Sequence, residues 1–106
     1  MGATVDDWKS PILIEAVRVW AGWDRFNCPQ YEDSLVVSRF GVDVASRLIP
    51  VVKFLRAEFY STDAAVTVSG LPEIGRKAAA DFRKKHPEVA EEIVEVLQWG
   101  YTFDNK

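Results

Sequence analysis

The chain has 106 residues, of which 48% are hydrophobic, 12% aromatic and 27% charged, a composition that fits one globular domain and excludes an intrinsically disordered chain. Its formal net charge is −3 and its isoelectric point is near 5.1, a balance that disfavours a general nucleic-acid binder, whose affinity comes from neutralised phosphates. Cys28 is the single cysteine, so no intrachain disulfide can form. No apolar run approaches the ~20 residues needed to cross a bilayer. The stretch MGATVDDWKS lacks the basic-then-apolar pattern of a secretory signal, and the expectation is a cytoplasmic chain with no membrane partner. Surface scaling for 12.0 kDa leaves roughly 6,000 Å² exposed out of roughly 17,000 Å² in the unfolded chain, so a core can form without metal or disulfide staples.

The elements read in chain order as helices. Ser10-Pro11 is an N-cap followed by proline in the first turn, where a missing N–H costs nothing. Helix 1 is expected to run from there through ILIEAVRVWAGW to about Trp23. On a helical wheel Glu15, Arg18 and Gly22 share one narrow strip, and the rest of the segment is apolar. Protein should therefore wrap it on most sides, with Trp20 and Trp23 as core packing. The loop DRFNCPQYED follows, and Pro29 keeps Cys28 out of helical geometry. Asp33 or Ser34 can cap a short helix SLVVSRF that stops at Gly41, although Leu35-Val36-Val37 would serve equally as a strand.

Asp43 is expected to cap helix 3, VASRLIPVVKFLRAEFY, with Val44, Leu48, Val51, Val52, Leu55 and Phe59 on one face. Pro50 falls away from that stripe, which predicts one helix kinked near Pro50 rather than two. The stretch 64–69 reads either as a helical turn or as a short extended piece. Pro72 starts helix 4, LPEIGRKAAADFRKKH, whose thin apolar face of Leu71, Ile74, Ala78 and Phe82 predicts peripheral packing. Pro87 opens helix 5, PEVAEEIVEVLQW, and Gly100 is expected to end it as the C′ residue. Tyr101, Thr102 and Phe103 would then form a short extended tail that folds back over the domain. The expected fold is thus all-α, a single compact domain over residues 1–106 of about five helices, one of them kinked.

Charge is distributed unevenly. Helix 4 carries Arg76, Lys77, Arg83, Lys84 and Lys85 against Glu73 and Asp81, while helix 5 carries Glu88, Glu91, Glu92 and Glu95 with no basic residue. Helix dipoles account for cations ending one helix and acids starting the next, but not for Glu95, which lies beyond the first turn. Positions 88, 91, 92 and 95 gather their carboxylates within roughly a 100° arc. Like charges at i,i+4 repel, so cations on helix 4 or on another molecule must offset them. Trp99 lies nearly in line with Glu88, Glu92 and Glu95 on the same wheel.

Catalytic equipment is sparse. Cys28 and His86 are the only nucleophile and base of interest, and their spacing favours no dyad. The thiol reads as inert, and His86 as a helix-terminal residue facing the last carbonyls of helix 4. The Glu cluster lacks the His or Cys companions of a metal site, and neither GxGxxG nor GxxxxGK[ST] occurs. No enzyme activity, catalytic residue, cofactor or metal is therefore expected. The residues singled out for partner binding are Glu88, Glu91, Glu92, Glu95, Trp99 and Tyr101, because aromatic anchors with a charged rim are what tight interfaces use. The expected partner is a basic protein, and the expected role is that of a bacterial-type immunity or antitoxin protein covering a nuclease-like toxin. The alternatives are a homodimeric structural or regulatory subunit, in which helix 4 of one copy meets helix 5 of another, and a DNA-binding regulator that uses helix 4.

Overall fold

The structure is a computed structural model, and it describes residues 7–64 and 69–105. Five helices make up the fold among the described residues: α1 (Pro11–Ala21), α2 (Asp33–Phe40), α3 (Val42–Tyr60), α4 (Leu71–Lys85) and α5 (Glu91–Asp104), with no strand. The all-α expectation holds. Segment 34–40 is helical, and of the stretch 64–69 only its two ends, a helical, buried Ala64 and an exposed Ser69, belong to the described residues.

α1 begins as its sequence dictates: Ser10 Oγ accepts the Leu13 N–H at 3.3 Å, and Pro11 occupies the first turn. It ends two residues before the expected Trp23. Gly22 adopts φ 81°, and its N–H bonds the carbonyls of Arg18 and Val19. The N–H of Trp23 returns to Arg18 O at 2.9 Å, the double closure by which a left-handed glycine terminates a helix. Side chains of Phe26 and Gln30 occupy the space where a Cβ on Gly22 would sit, at 2.7 and 2.9 Å.

Capping differs from expectation at α2 and α3. Glu32 takes the N-cap position of α2 without a side-chain bond, and Asp33 is recruited elsewhere. Its carboxylate accepts the Trp20 indole N–H at 3.0 Å and pairs with Lys53 at 3.0 Å. Lys53 and then Trp20 hold the Asp33 carboxyl below its ordinary range. Gly41, at φ 87°, both ends α2 and precedes α3, which leaves Asp43 inside the first turn rather than at the cap. α3 runs unbroken through Pro50, whose ring lies on the exposed side. Val51, Val52, Leu55 and Phe59 are buried, with Leu48 partly so.

α4 is not peripheral. Ile74, Gly75, Ala78, Ala79 and Phe82 are all buried, and α4 lies along α5. The apolar face looked thin because it is made of small residues, which let two helices approach closely. A Cβ on Gly75 would collide with Thr102 Oγ1 of α5.

The largest correction concerns α5. Residues 87–90 form a turn, with the Ala90 N–H donated to Trp8 O at 3.1 Å, so the helix starts at Glu91 and Glu88 lies outside it. Gly100 does not stop the helix, and the expected extended tail does not exist. α5 continues to Asp104. Gly100 is buried mid-helix, and a side chain there would run into the Tyr31 hydroxyl. It is therefore a close-approach glycine, not a left-handed one. The ~1 kcal/mol that glycine costs a helix is outweighed by burial of Tyr101, whose ring meets Phe59 at 5.7 Å and Tyr60 at 4.9 Å. Phe59 also meets Phe82 at 5.4 Å, which puts the junction of α3, α4 and α5 at the centre of the core.

Gly100→Ala tests this assignment. Helix propensity alone favours alanine by ~1 kcal/mol, whereas overpacking costs about 1–3 kcal/mol, so urea unfolding should show a net loss of about 1 kcal/mol. In the Gly100→Ala background Tyr31→Phe should cost less than in the wild type. A more stable Gly100→Ala protein, or strict additivity of the two changes, would show that the hydroxyl does not limit this site.

Candidate functional site

The loop over 22–32 is laid back on α1 by two backbone bonds, Gln30 N–H to Ala21 O at 2.9 Å and Glu32 N–H to Trp20 O at 3.0 Å. Asp24 and Tyr31 adopt left-handed φ of 68° and 52°, a conformation that costs a non-glycine residue about 1 kcal/mol or more. Tyr31 is held there by its side chain. Its ring lies 5.1 Å from that of Trp20, the Arg56 guanidinium stacks 4.0 Å over its centroid, and its hydroxyl is 2.7 Å from that of Tyr60. Tyr60 in turn donates to Asp104 Oδ2 at 2.5 Å, and Arg56 reaches the same oxygen at 3.6 Å. The cluster clamps the end of α5 to α3 and to the loop.

With its end so anchored, α5 presents Glu92, Glu95, Trp99 and Phe103 along one stripe, at i, i+3, i+7 and i+11. The half-buried Trp99 ring stands edge-on to Trp23, with centroids 5.4 Å apart and planes at 89°. Beside it lies a groove of about 460 Å³ lined by Asn27, Glu95, Gln98, Trp99, Thr102 and Phe103. A second cleft of about 430 Å³ adjoins it, walled by Trp23, Asp24, Arg25 and the exposed Phe26. Asn27 and Trp99 line both, so the two form one trough with an apolar floor and a polar rim.

The six residues singled out from the sequence are dispersed by the fold. Glu95 and Trp99 meet in the groove. Glu92 is exposed one turn earlier and has no ion-pair partner among the described residues. Glu91 is paired with Arg83, whose Nε donates to it at 3.1 Å, and Arg83 holds the Glu91 carboxyl below its usual range. Glu88, off the helix, lies 3.4 Å from His86 Nδ1. Tyr101 faces the core. Helix 4 thus supplies, in Arg83, a direct partner for Glu91 and a longer-range offsetting charge for Glu95, while Glu92 and Glu95 form no direct ion pair among the described residues.

Sequence reasoning missed Asn27, Gln98, Thr102 and Phe103 in the groove, and Trp23 and Phe26 beside it. The stripe would have predicted Phe103, and Gln98 with Thr102, had the helix been continued through Gly100. Nothing local marks Asn27 or Phe26.

Comparison with family models, curated proteins and solved structures gives no match. The site must be read from its own chemistry.

Cys28 and His86 are not joined. The Cys28 thiol is near Gln30 Nε2 at 3.5 Å. The His86 ring bridges Glu58, at 2.8 Å from Nε2, and Glu88 rather than facing the carbonyls of α4. Among the described residues no three His, Cys, Asp or Glu side chains gather as a metal site would require, and no helix is long and apolar enough to cross a membrane. The cations of α4 are largely engaged: Arg76 with Glu73, Lys77 with Asp81, Arg83 with Glu91.

The tyrosine clamp predicts an alkaline limit to stability. Burial first, and then the hydrogen bond to Asp104, pushes the Tyr60 hydroxyl far above the ordinary tyrosine range, and burial raises that of Tyr31 as well. Above the unfolded tyrosine pKa of about 10 the unfolded chain loses protons that the native state keeps, so stability falls as pH rises. Unfolding measured in urea between about pH 9 and about pH 11 should show a steep loss in the wild type and a shallower one in Tyr60→Phe. Equal slopes would remove Tyr60 from the clamp.

Proposed function

We propose that this chain is a non-catalytic protein-binding module that engages a basic partner through the groove beside Trp99, in the manner of an immunity or antitoxin protein covering a nuclease-like toxin. The observation that carries the reading is the stripe on α5. Two exposed carboxylates that form no direct ion pair among the described residues, Glu92 and Glu95, the latter within the field of Arg83, run into a half-buried tryptophan beside a groove. Desolvated aromatics in or near a pocket supply most of the energy of typical interfaces, and unpaired rim charges steer the encounter. A cleft built to hold phosphate is basic, and paired carboxylates present it with charge of the same sign as its substrate.

The homodimer alternative has lost part of its support. Its premise was that cations of helix 4 and carboxylates of helix 5 would meet between copies, and Arg83 meets Glu91 within one chain. A DNA-binding role for helix 4 is weakened by the same pairing and by the ties of Arg76 and Lys77 to Glu73 and Asp81.

The test is quantitative binding of the partner recovered by affinity capture from the source cells. Glu92→Lys combined with Glu95→Lys should weaken it by about tenfold or more, with the loss concentrated in a slower, less salt-sensitive association, while the urea midpoint stays near that of the wild type. Trp99→Ala should raise the dissociation rate by a larger factor. Unchanged affinity in both variants would remove the stripe from the interface.

A further inference from the structure

The trough does not end at Trp23. Trp23, Asp24 and Arg25 also line a third pocket, of about 280 Å³, whose other charged walls are Arg18, Arg39 and Glu15. Three guanidinium groups meet two carboxylates there, a local excess of positive charge on a chain whose net charge is −3. Glu15 is taken by Arg39 at 3.5 Å, and Asp24 is exposed. Arg39, Arg56, Arg76 and Arg83 are each ion-paired within the chain. Arg18, Arg25 and Arg47 have no such partner among the described residues, and Arg18 and Arg25 line this pocket. Arg18 is half-buried on α1, and its Nε is closed off from solvent without an acceptor. A guanidinium N–H closed off from water without an acceptor, as at Arg18 Nε and also at Arg56 Nε, loses hydration without a replacing hydrogen bond.

The trough is therefore bipolar. Glu95 stands at one end, Arg18 and Arg25 at the other, and Trp99 and Trp23 lie between them. We infer that the arginine pocket takes the carboxylate of an acidic side chain of the partner. The occupant of the whole trough is then an extended peptide segment that carries a cation where it passes Glu95 and a carboxylate where it passes Arg18 and Arg25. A planar carboxylate matches the fork of a guanidinium in a way that a spherical anion does not, and the tryptophan floor suits the apolar stretch of such a segment. A free inorganic anion would use one end and leave the aromatic floor uncovered. The inference rests on the groove being a protein-binding site, and it replaces a uniformly basic partner by one that is basic at one contact and acidic at the next.

The experiment follows the Arg18 and Arg25 Nε–H and Trp23 indole N–H resonances of the isotope-labelled full chain during titration with sodium acetate, with sodium chloride at matched ionic strength, and with inorganic phosphate. Acetate should produce saturable shifts with a dissociation constant on the order of millimolar, weakened at least about threefold by Arg25→Gln and by Arg18→Lys, which keeps charge but loses the fork. Arg76→Gln, which alters an arginine outside the trough, should leave acetate binding unchanged. Chloride shifts equal to those of acetate, or insensitivity to Arg25→Gln, a change in an exposed loop residue that tests the site without disturbing the core, would overturn the inference. Phosphate binding more than about tenfold tighter than acetate would also overturn it, in favour of a phosphate-bearing ligand. The two readings fail distinguishably: acetate binding at the arginines with no effect of the Glu92→Lys and Glu95→Lys pair on partner affinity would sink the proposed function and with it the cation contact at Glu95, leaving only the carboxylate site at the arginines, whereas the reverse result would sink the carboxylate site alone.

Discussion

Two tyrosine hydroxyls and one carboxylate hold the far end of α5 in place. Tyr31 and Tyr60 stand 2.7 Å apart, Tyr60 donates to Asp104 at 2.5 Å, and the Arg56 guanidinium covers both rings at 4.0 and 4.4 Å. Each group comes from a different part of the chain: the loop after α1, the end of α3, the end of α5. Partial burial strengthens such bonds and makes an unpaired member costly, so the cluster acts as one unit. Its geometric requirement is glycine at 100, since any side chain there would displace the Tyr31 hydroxyl. From this follow the length of α5, the burial of Tyr101, and the position of Trp99 beside Trp23.

The same clamp explains why the surface near the loop is shaped at all. With α5 continued to Asp104, Gln98, Thr102 and Phe103 stand beside Trp99 and Glu95 and complete a groove that a frayed terminus could not form. Gly75 of α4 works to the same end from the other side, where its missing Cβ admits Thr102. Two glycines in helices, each unfavourable to the helix that carries it, thus mark the places where the tertiary structure demands close approach.

Charge is settled mostly inside the molecule. Arg83 neutralises Glu91, His86 sits between Glu58 and Glu88, Lys53 meets Asp33, and Lys77 meets Asp81. Such exposed pairs stabilise little individually, but they decide what remains. Among the described residues the charges left without an ion pair include Arg47, elsewhere on the surface, and a group about the trough: Glu92 and Glu95 toward one end, Arg18 and Arg25 toward the other, with tryptophan between. A surface that leaves opposite charges unmet at its two ends is one that a second molecule can complete.

Local signals in the sequence determined the helices and most of their limits. The Ser10-Pro11 start of α1, the run of α3 past an outward Pro50, the breaks at Gly41 and Pro87, and the apolar stripes are consequences of backbone geometry and period, which neighbouring residues dictate. The acidic stripe ending in Trp99 was visible for the same reason. What neighbours could not reveal was the meaning of Gly100, the inward turn of Tyr101, the recruitment of Asp33 by Trp20 and Lys53, and which carboxylates would be paired. Each depends on a group far away in the chain: Tyr31 against Gly100, Phe59 and Tyr60 against Tyr101, Arg83 against Glu91. A glycine reads as a helix stop when only its own backbone freedom is weighed, and as a helix interior once the atom that needs its space is known. Tertiary structure alone supplied that atom.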